Sequence, residues 1–179
     1  MSQAITLDDH PFEPSGAQNG ATHAATPAGT LANGSEFLTF KLGNEDYGLD
    51  LLRVQEIRSF EEPTRIANAP AGVLGVLDLR GVIVPVVDLR VHLNFPQAPR
   101  DHNTVVIVLA ITGRVVGVVV DGVSDVIAVG PKQLRPAPEF NARLERHHVM
   151  AIGAVDRRML ILVDIDALLG EPALGLLGL

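Results

Sequence analysis

Three runs of β-branched residues, Val82 to Val87, Val105 to Ile111 and Val115 to Val120, constrain this chain more than any other feature. Each is too short for a core helix and too rich in valine to favour one, so each reads as a central strand. Thr112-Gly113-Arg114 joins the second and third runs at hairpin length, and Asp121-Gly122 supplies the next turn, which makes the stretch an antiparallel meander. A parallel sheet would need crossover helices. Helical signals are few: a turn or two after Asp88, one after Pro131, and Asp164 to Leu169, where Asp164 can cap the start and Gly170 the end. Phe37 to Leu42 alternates, with Leu38, Phe40 and Leu42 on one face and Phe37, Thr39 and Lys41 on the other, as expected of one half-buried strand.

Two residues inside these runs break strand rules. Pro85 has no N–H for a ladder and belongs at an edge or a bulge. Gly117 weakens its strand; either another backbone or a partner approaches closely there, or the strand bends. Many short strands with bulges suggest closed barrels, so the body is expected to be mainly β.

Residues 1–35 are rich in Ala, Thr, Gly, Asn, Ser and Pro and show no apolar periodicity, so burial cannot offset the entropy of ordering them. This segment is expected to be a flexible tail ahead of a domain over 36–170, with a short C-terminal tail at 171–179. The tail holds Asp8, Asp9 and Glu13 with no Lys or Arg, so much of the formal charge of -7 resides there and the body is only mildly acidic. That charge argues against a phosphate-binding surface, and 4% aromatic content leaves few stacking platforms; nucleic acid is a poor partner. The longest apolar runs fall far short of the ~20 residues that span a bilayer, and no Lys or Arg precedes Lys41, so export and direct membrane insertion are not expected. The absence of cysteine removes disulfides, thiolate metal sites and thiol nucleophiles, and suits a cytoplasmic location.

A search for chemistry returns little. His10 and His23 lie in the tail, His92 and His102 flank a loop, and His147 and His148 are adjacent and would face opposite ways in a strand; none of these spacings resembles a metal site. There is no Gly-x-x-x-x-Gly-Lys and no Gly-x-Gly-x-x-Gly opening a helix. Ser59 and Ser124 sit in no nucleophile-elbow pattern, and Asp121 and Asp125 read as a turn aspartate and a solvated strand-face aspartate. No catalytic residue, metal site or cofactor is expected, and the chain reads as a non-enzyme.

Attention moves to polar residues embedded in apolar strand sequence, since a charge beside a core is costly unless paired or turned outward. Two places qualify: Val54-Gln55-Glu56-Ile57-Arg58, and Asp78-Leu79-Arg80-Gly81 leading into Val82. In the second, Leu77 and Leu79 can face inward while Asp78 and Arg80 face outward, and Gly81 permits the turn.

At these residues the chain resembles the CheW family of chemotaxis coupling proteins. Five ordered blocks carry the resemblance: Glu36 to Phe40; Tyr47-Gly48 through Arg58; Gly75 to Arg90, matching the family's Asn-Leu-Arg-Gly block; Asn103 to Val126; and Arg135-Pro136-Ala137-Pro138-Glu139-Phe140, with Arg158 to Leu169 fitting the close of the domain. The resemblance implies two small five-stranded SH3-like barrels packed together, with a few short helices. It also implies an adaptor that couples chemoreceptors, the methyl-accepting chemotaxis proteins, to the regulatory domain of the histidine kinase CheA, recruited to membrane-associated receptor arrays through these partners. The kinase-facing surface it implies includes Val54, Glu56, Ile57 and Arg80; the receptor-facing groove includes Leu51, Val105, Val116, Gly117 and Val126. Asp78 stands where the family usually has Asn, so a hydrogen bond donated by that amide would be lost, and Asp78 can instead pair with Arg80 or a neighbouring cation.

Other readings are an enzyme of the small-barrel type, a kinase regulatory domain, a receiver-fused coupling protein, and a CheW-like scaffold paralogue serving a different signalling array. The first predicts convergent acid, base or metal groups. The second and third predict further segments before or after the domain, whereas Met1 opens a short tail and nine residues follow Gly170. The fourth shares the fold and is not separated by sequence.

Overall fold

In the computed structural model, residues 34–137 and 148–170 are described. The expected tails at 1–35 and 171–179 lie almost wholly outside them, as do Pro138, Glu139 and Phe140 of the fifth block.

The chain begins with β1 (Ser35–Leu42) and β2 (Glu45–Asp50), then a 3-10 turn at Leu51–Arg53 leads into β3 (Val54–Ser59). The hairpin β4 (Val73–Leu79) and β5 (Val82–Asp88) is followed by the single-turn helix α1 (Leu89–His92). A second hairpin, β6 (Val105–Ile111) and β7 (Arg114–Val120), runs into β8 (Gly122–Val129), a 3-10 turn at Pro131–Gln133 and the two-residue β9 (Leu134–Arg135). The described part closes with β10 (Val149–Val155), β11 (Arg158–Val163) and α2 (Ile165–Leu168). The helical signals fall where the sequence places them. Asp88 accepts from the Arg90 N–H at 2.9 Å and Asp164 from the Ala167 N–H at 3.0 Å. Gly170 plays no left-handed role at the end of α2, whose flanking residue is Leu169 at φ -105°.

These strands form two sheets, one ordered β8-β1-β2-β11-β10-β9 and the other β3-β6-β7-β5-β4. Three apolar clusters follow from the two-residue alternation of strand side chains. Leu38, Phe40 and Leu42 of β1 meet Ile107, Leu109 and Ile111 of β6 and Val116, Val118 and Val120 of β7 in a core shared between the sheets. Phe37, Val129, Leu160 and Leu162 pack together on the other face of the first sheet. Val84, Val86, Val106, Val108 and Val119 do so on the other face of the second. The valine runs are unbroken because β6 and β7 are buried on both faces.

Four expectations are corrected. First, β1 is not half-buried: Phe37, Leu38, Thr39 and Phe40 are all buried, since a second core lies behind the first. Second, the meander does not continue past β7, because at Asp121 the chain leaves the second sheet and β8 pairs with β1 in the other. Third, two pairings are parallel, β5 with β7 and β2 with β11. The first of these crossovers is made by α1, the following loop and β6, so its length is met with a single helical turn. Fourth, the sheets have six and five strands, and neither ladder closes among the described residues. An isolated bridge between Thr64 and Val76 covers part of the β4 edge of the second sheet, the nearest approach to closure.

Pro85 sits opposite Val76 of β4, one residue before the parallel ladder with β7 opens at Val86. The residue without an N–H thus lies where β5 has one partner strand.

Candidate functional site

The β4–β5 hairpin turns on two residues, Arg80 at φ 55° and Gly81 at φ 85°, with Leu79 paired to Val82. Positive φ at both central positions matches the right-handed twist of the flanking strands. Asp78 stabilises the turn: its Oδ1 accepts from the Gly81 N–H at 2.7 Å. This is an acceptor's role, which a carboxylate fills as well as an amide oxygen. The expected pairing of Asp78 with Arg80 is not what forms. Arg80, whose side chain is 83% exposed, reaches Glu56 of β3, with its Nη2 2.8 Å from Oε2. Glu56 also lies 3.8 Å from Arg58. An exposed pair of this kind contributes at most about 1 kcal/mol, so its main effect is to tie the hairpin tip to β3.

A bulge governs what β3 displays. Val54 opposes Leu109 and Glu56 opposes Val108, so Gln55 is the extra residue in the ladder. Directly paired residues share a face. Val54 and Ile57, opposite Leu109 and Ile107, therefore lie on the side of the shared core, and Glu56 lies on the other side with Arg80. The four residues expected to face the kinase, Val54, Glu56, Ile57 and Arg80, are thus brought together, but around the edge of β3, which pairs with β6 alone, instead of on one flat patch. Ile57 is 43% exposed and Val54 half-buried.

Sequence reasoning missed Leu52, which projects from the 3-10 turn 91% exposed, and Val82 and Ile83, which are exposed beside the hairpin tip. The apolar run made Val82 and Ile83 look central. The signal available was Pro85, which marks where pairing on one side of β5 stops.

The five residues expected to line a receptor groove divide by depth. Leu51 and Val105 are half-buried and pack on the shared core, and Val126 of β8 is 47% exposed. Val116 is buried within that core. Gly117 is buried beneath the surface, paired with Val86 on one side and Val108 on the other. A Cβ there would stand 2.9 Å from Val106 Cγ1 and 3.5 Å from Val86 Cγ2. Its φ is not in the left-handed region, so the close approach is by internal valines.

Two charged clusters flank these surfaces. Arg90 forms a two-pronged ion pair with Asp121, which also accepts from the Gly43 N–H at 2.7 Å; the Asp121 hydrogen bond raises the Arg90 pKa. Asp121 is therefore a fastening between sheets and more than a turn residue. Buried Asp88 pairs with Arg100 at 3.0 Å, and Arg100 lies 4.7 Å from the Phe60 ring centre. Asp88, Arg90, Arg100 and Asp121 line a cavity of about 70 Å³ whose charges are mutually paired. In the second cluster Asp125, expected to be solvated, accepts from buried Thr39 and from Arg158 at 3.0 Å. These hydrogen bonds, that of Thr39 first, hold the Asp125 carboxyl below the usual range. Among the described residues no three His, Asp or Glu side chains converge as metal ligands would. His92 instead places Nε2 2.6 Å from the Leu168 carbonyl, joining α1 to α2.

Residues 36–173 match the family model described as the CheW-like domain. The chain is 54% identical over 143 residues to the chemotaxis protein CheW of Klebsiella aerogenes, covering 80% of this chain and 86% of that protein. It is 30% identical over 143 residues to the chemotaxis protein CheW of Bacillus subtilis, covering 92% of the latter. Among solved structures, the scaffolding protein TtCheW of Thermoanaerobacter tengcongensis superposes with a TM-score of 0.70 at 27% identity, over 78% of this chain and 90% of that one. With two packed sheets, the Leu-Arg-Gly hairpin and the β3 edge in place, the chain belongs to the CheW-like family of chemotaxis proteins.

Proposed function

We propose that this chain is a non-enzymatic adaptor that joins the chemoreceptor cytoplasmic tip to the regulatory domain of the histidine kinase CheA. The observation that carries this reading is that one rigid core supports two separate partly apolar surfaces. One is the β3 edge with the hairpin tip, offering Val54, Ile57, Glu56 and Arg80. The other is the rim of the shared core, offering Leu51, Val105 and Val126 near buried Val116, while Gly117 faces the valines behind β7. A coupling protein needs two such surfaces that can be occupied together. The kinase takes the first, where apolar side chains flank a fixed ion pair. A helical hairpin of the receptor takes the second, laying its apolar face along the rim. The adaptor works in the cytoplasm, without cofactor, and reaches the membrane through its partners.

Size-exclusion chromatography of the chain with full-length CheA and a receptor cytoplasmic fragment tests this. A ternary complex is expected. Recovery of two binary complexes that exclude one another would overturn the two-surface reading.

A further inference from the structure

The strand that carries Val126 is held in an unusual way. β8 is an outer strand whose ladder partner is β1. That ladder slips in its middle: Leu38 opposes Val126 and Phe40 opposes Val123, so Ser124 and Asp125 together face Thr39. Such a bulge breaks the backbone hydrogen bonding. Here a side chain replaces it. The Thr39 hydroxyl, fully buried, accepts from the Asp125 N–H at 3.1 Å and has the Asp125 carbonyl at 3.0 Å and the carboxylate Oδ1 as acceptors for its proton.

A second hold comes from farther away. Arg158, at the start of β11, reaches across β2 and β1 to the Asp125 carboxylate, with Nη1 3.0 and 3.3 Å from its two oxygens. Its Nη2 lies 3.8 Å from Asp46 of β2. One guanidinium thus spans the face of the first sheet turned away from the shared core and ends on the bulge.

We propose that Thr39 and Arg158 are positioning residues for the receptor-facing groove, fixing the β8 bulge so that Val126 is presented at its rim. Val123 and Val126 lie opposite Phe40 and Leu38, both in the shared core, so they share the groove side. A slip of one residue would send Val126 to the opposite face. The ladder to β1 alone does not prevent this, because the bulge interrupts it next to Val126. The inference rests on the receptor-facing reading of the groove.

The test uses the full chain with Thr39→Val, Arg158→Met, and the paired exchange of Asp125→Arg with Arg158→Asp. Amide hydrogen exchange at residues 123–127, thermal melting, and affinities for a receptor tip fragment and for CheA are measured. Exchange at Asp125 and Val126 should quicken about tenfold or more in both single variants, while the cores stay protected. Receptor affinity should fall about tenfold with CheA affinity unchanged, and the paired exchange, which restores opposite charges at 125 and 158, should lose less than Arg158→Met. Should Thr39→Val fail to fold, Arg158→Met and the paired exchange decide. Unchanged exchange at the bulge overturns the proposal, as does faster exchange with unchanged receptor affinity or equal loss of both partners. If the unaltered chain itself does not bind the receptor fragment, the groove reading fails, and the exchange rates still decide whether these residues hold the bulge.

Discussion

Single residues here act through what they displace or cap. Gly117 leaves a space already filled by Val106 and Val86, so Gly117→Val must push backbone or valine aside. Overpacking of this kind costs about 1 to 3 kcal/mol, and the variant should melt lower and lose both partners in proportion. A variant of unchanged stability that loses only receptor binding would show an open groove floor instead. Asp78 makes the converse case. Its carboxylate caps the hairpin turn through the Gly81 N–H, so Asp78→Asn should be nearly neutral and Asp78→Ala should cost on the order of 1 kcal/mol in denaturant unfolding. Arg80 was legible as an outward charge at a turn. Its partner was not, because Glu56 is 24 positions away and a pairing at that distance is set by the register of the second sheet, not by local pattern. Thr39 looked outward-facing for a similar reason: nothing near it in sequence announces a second core.

At the scale of elements, the β3 edge is where local pattern and assembly diverge. Valine-rich runs, turn glycines and the capping aspartates Asp88 and Asp164 are local signals, and the elements they mark formed where expected. Which strands pair is a long-range matter, and there the meander failed, since β7 hands the chain to the other sheet at a single residue. The bulge at Gln55 likewise left no signal, yet it decides that Val54 shares a side with Ile57 and not with Glu56. Ile57 is partly exposed on an outer strand, so Ile57→Asp should leave melting within a few degrees. It should weaken CheA binding by about 2 kcal/mol, roughly thirtyfold by calorimetry, while receptor binding holds. Unfolding of the variant would place Ile57 in the core and remove it from the surface.

For the molecule as a whole, charge couples to stability through a few carboxylates. Asp125 is held low by Thr39 and then Arg158, and Asp101 chiefly by the Asn103 N–H. A folded-state pKa below the unfolded value of about 3.9 contributes stability above that value, which is lost as pH falls through the folded one. The urea midpoint should therefore drop between pH ~5 and ~2, and Thr39→Val should flatten that dependence. An equal slope in both proteins would remove Thr39 as the cause. Residues 1–30 show no apolar periodicity, and deleting them should leave melting and CheA affinity within error; a complex about tenfold weaker would show that the tail makes contacts.

The order of strands has a consequence for how the chain is made. Every strand of the second sheet lies between positions 54 and 120, whereas the first draws β1 and β2 from the beginning and β8 to β11 from the end, with Tyr47 paired to Ile161. On the ribosome, the second sheet is complete in the nascent chain while the first still has a two-stranded start and no closing partner. Newly synthesised protein should gain protection in β4 to β7 early, and the parallel ladder between Tyr47 and Ile161 should come into being only when the last strands arrive.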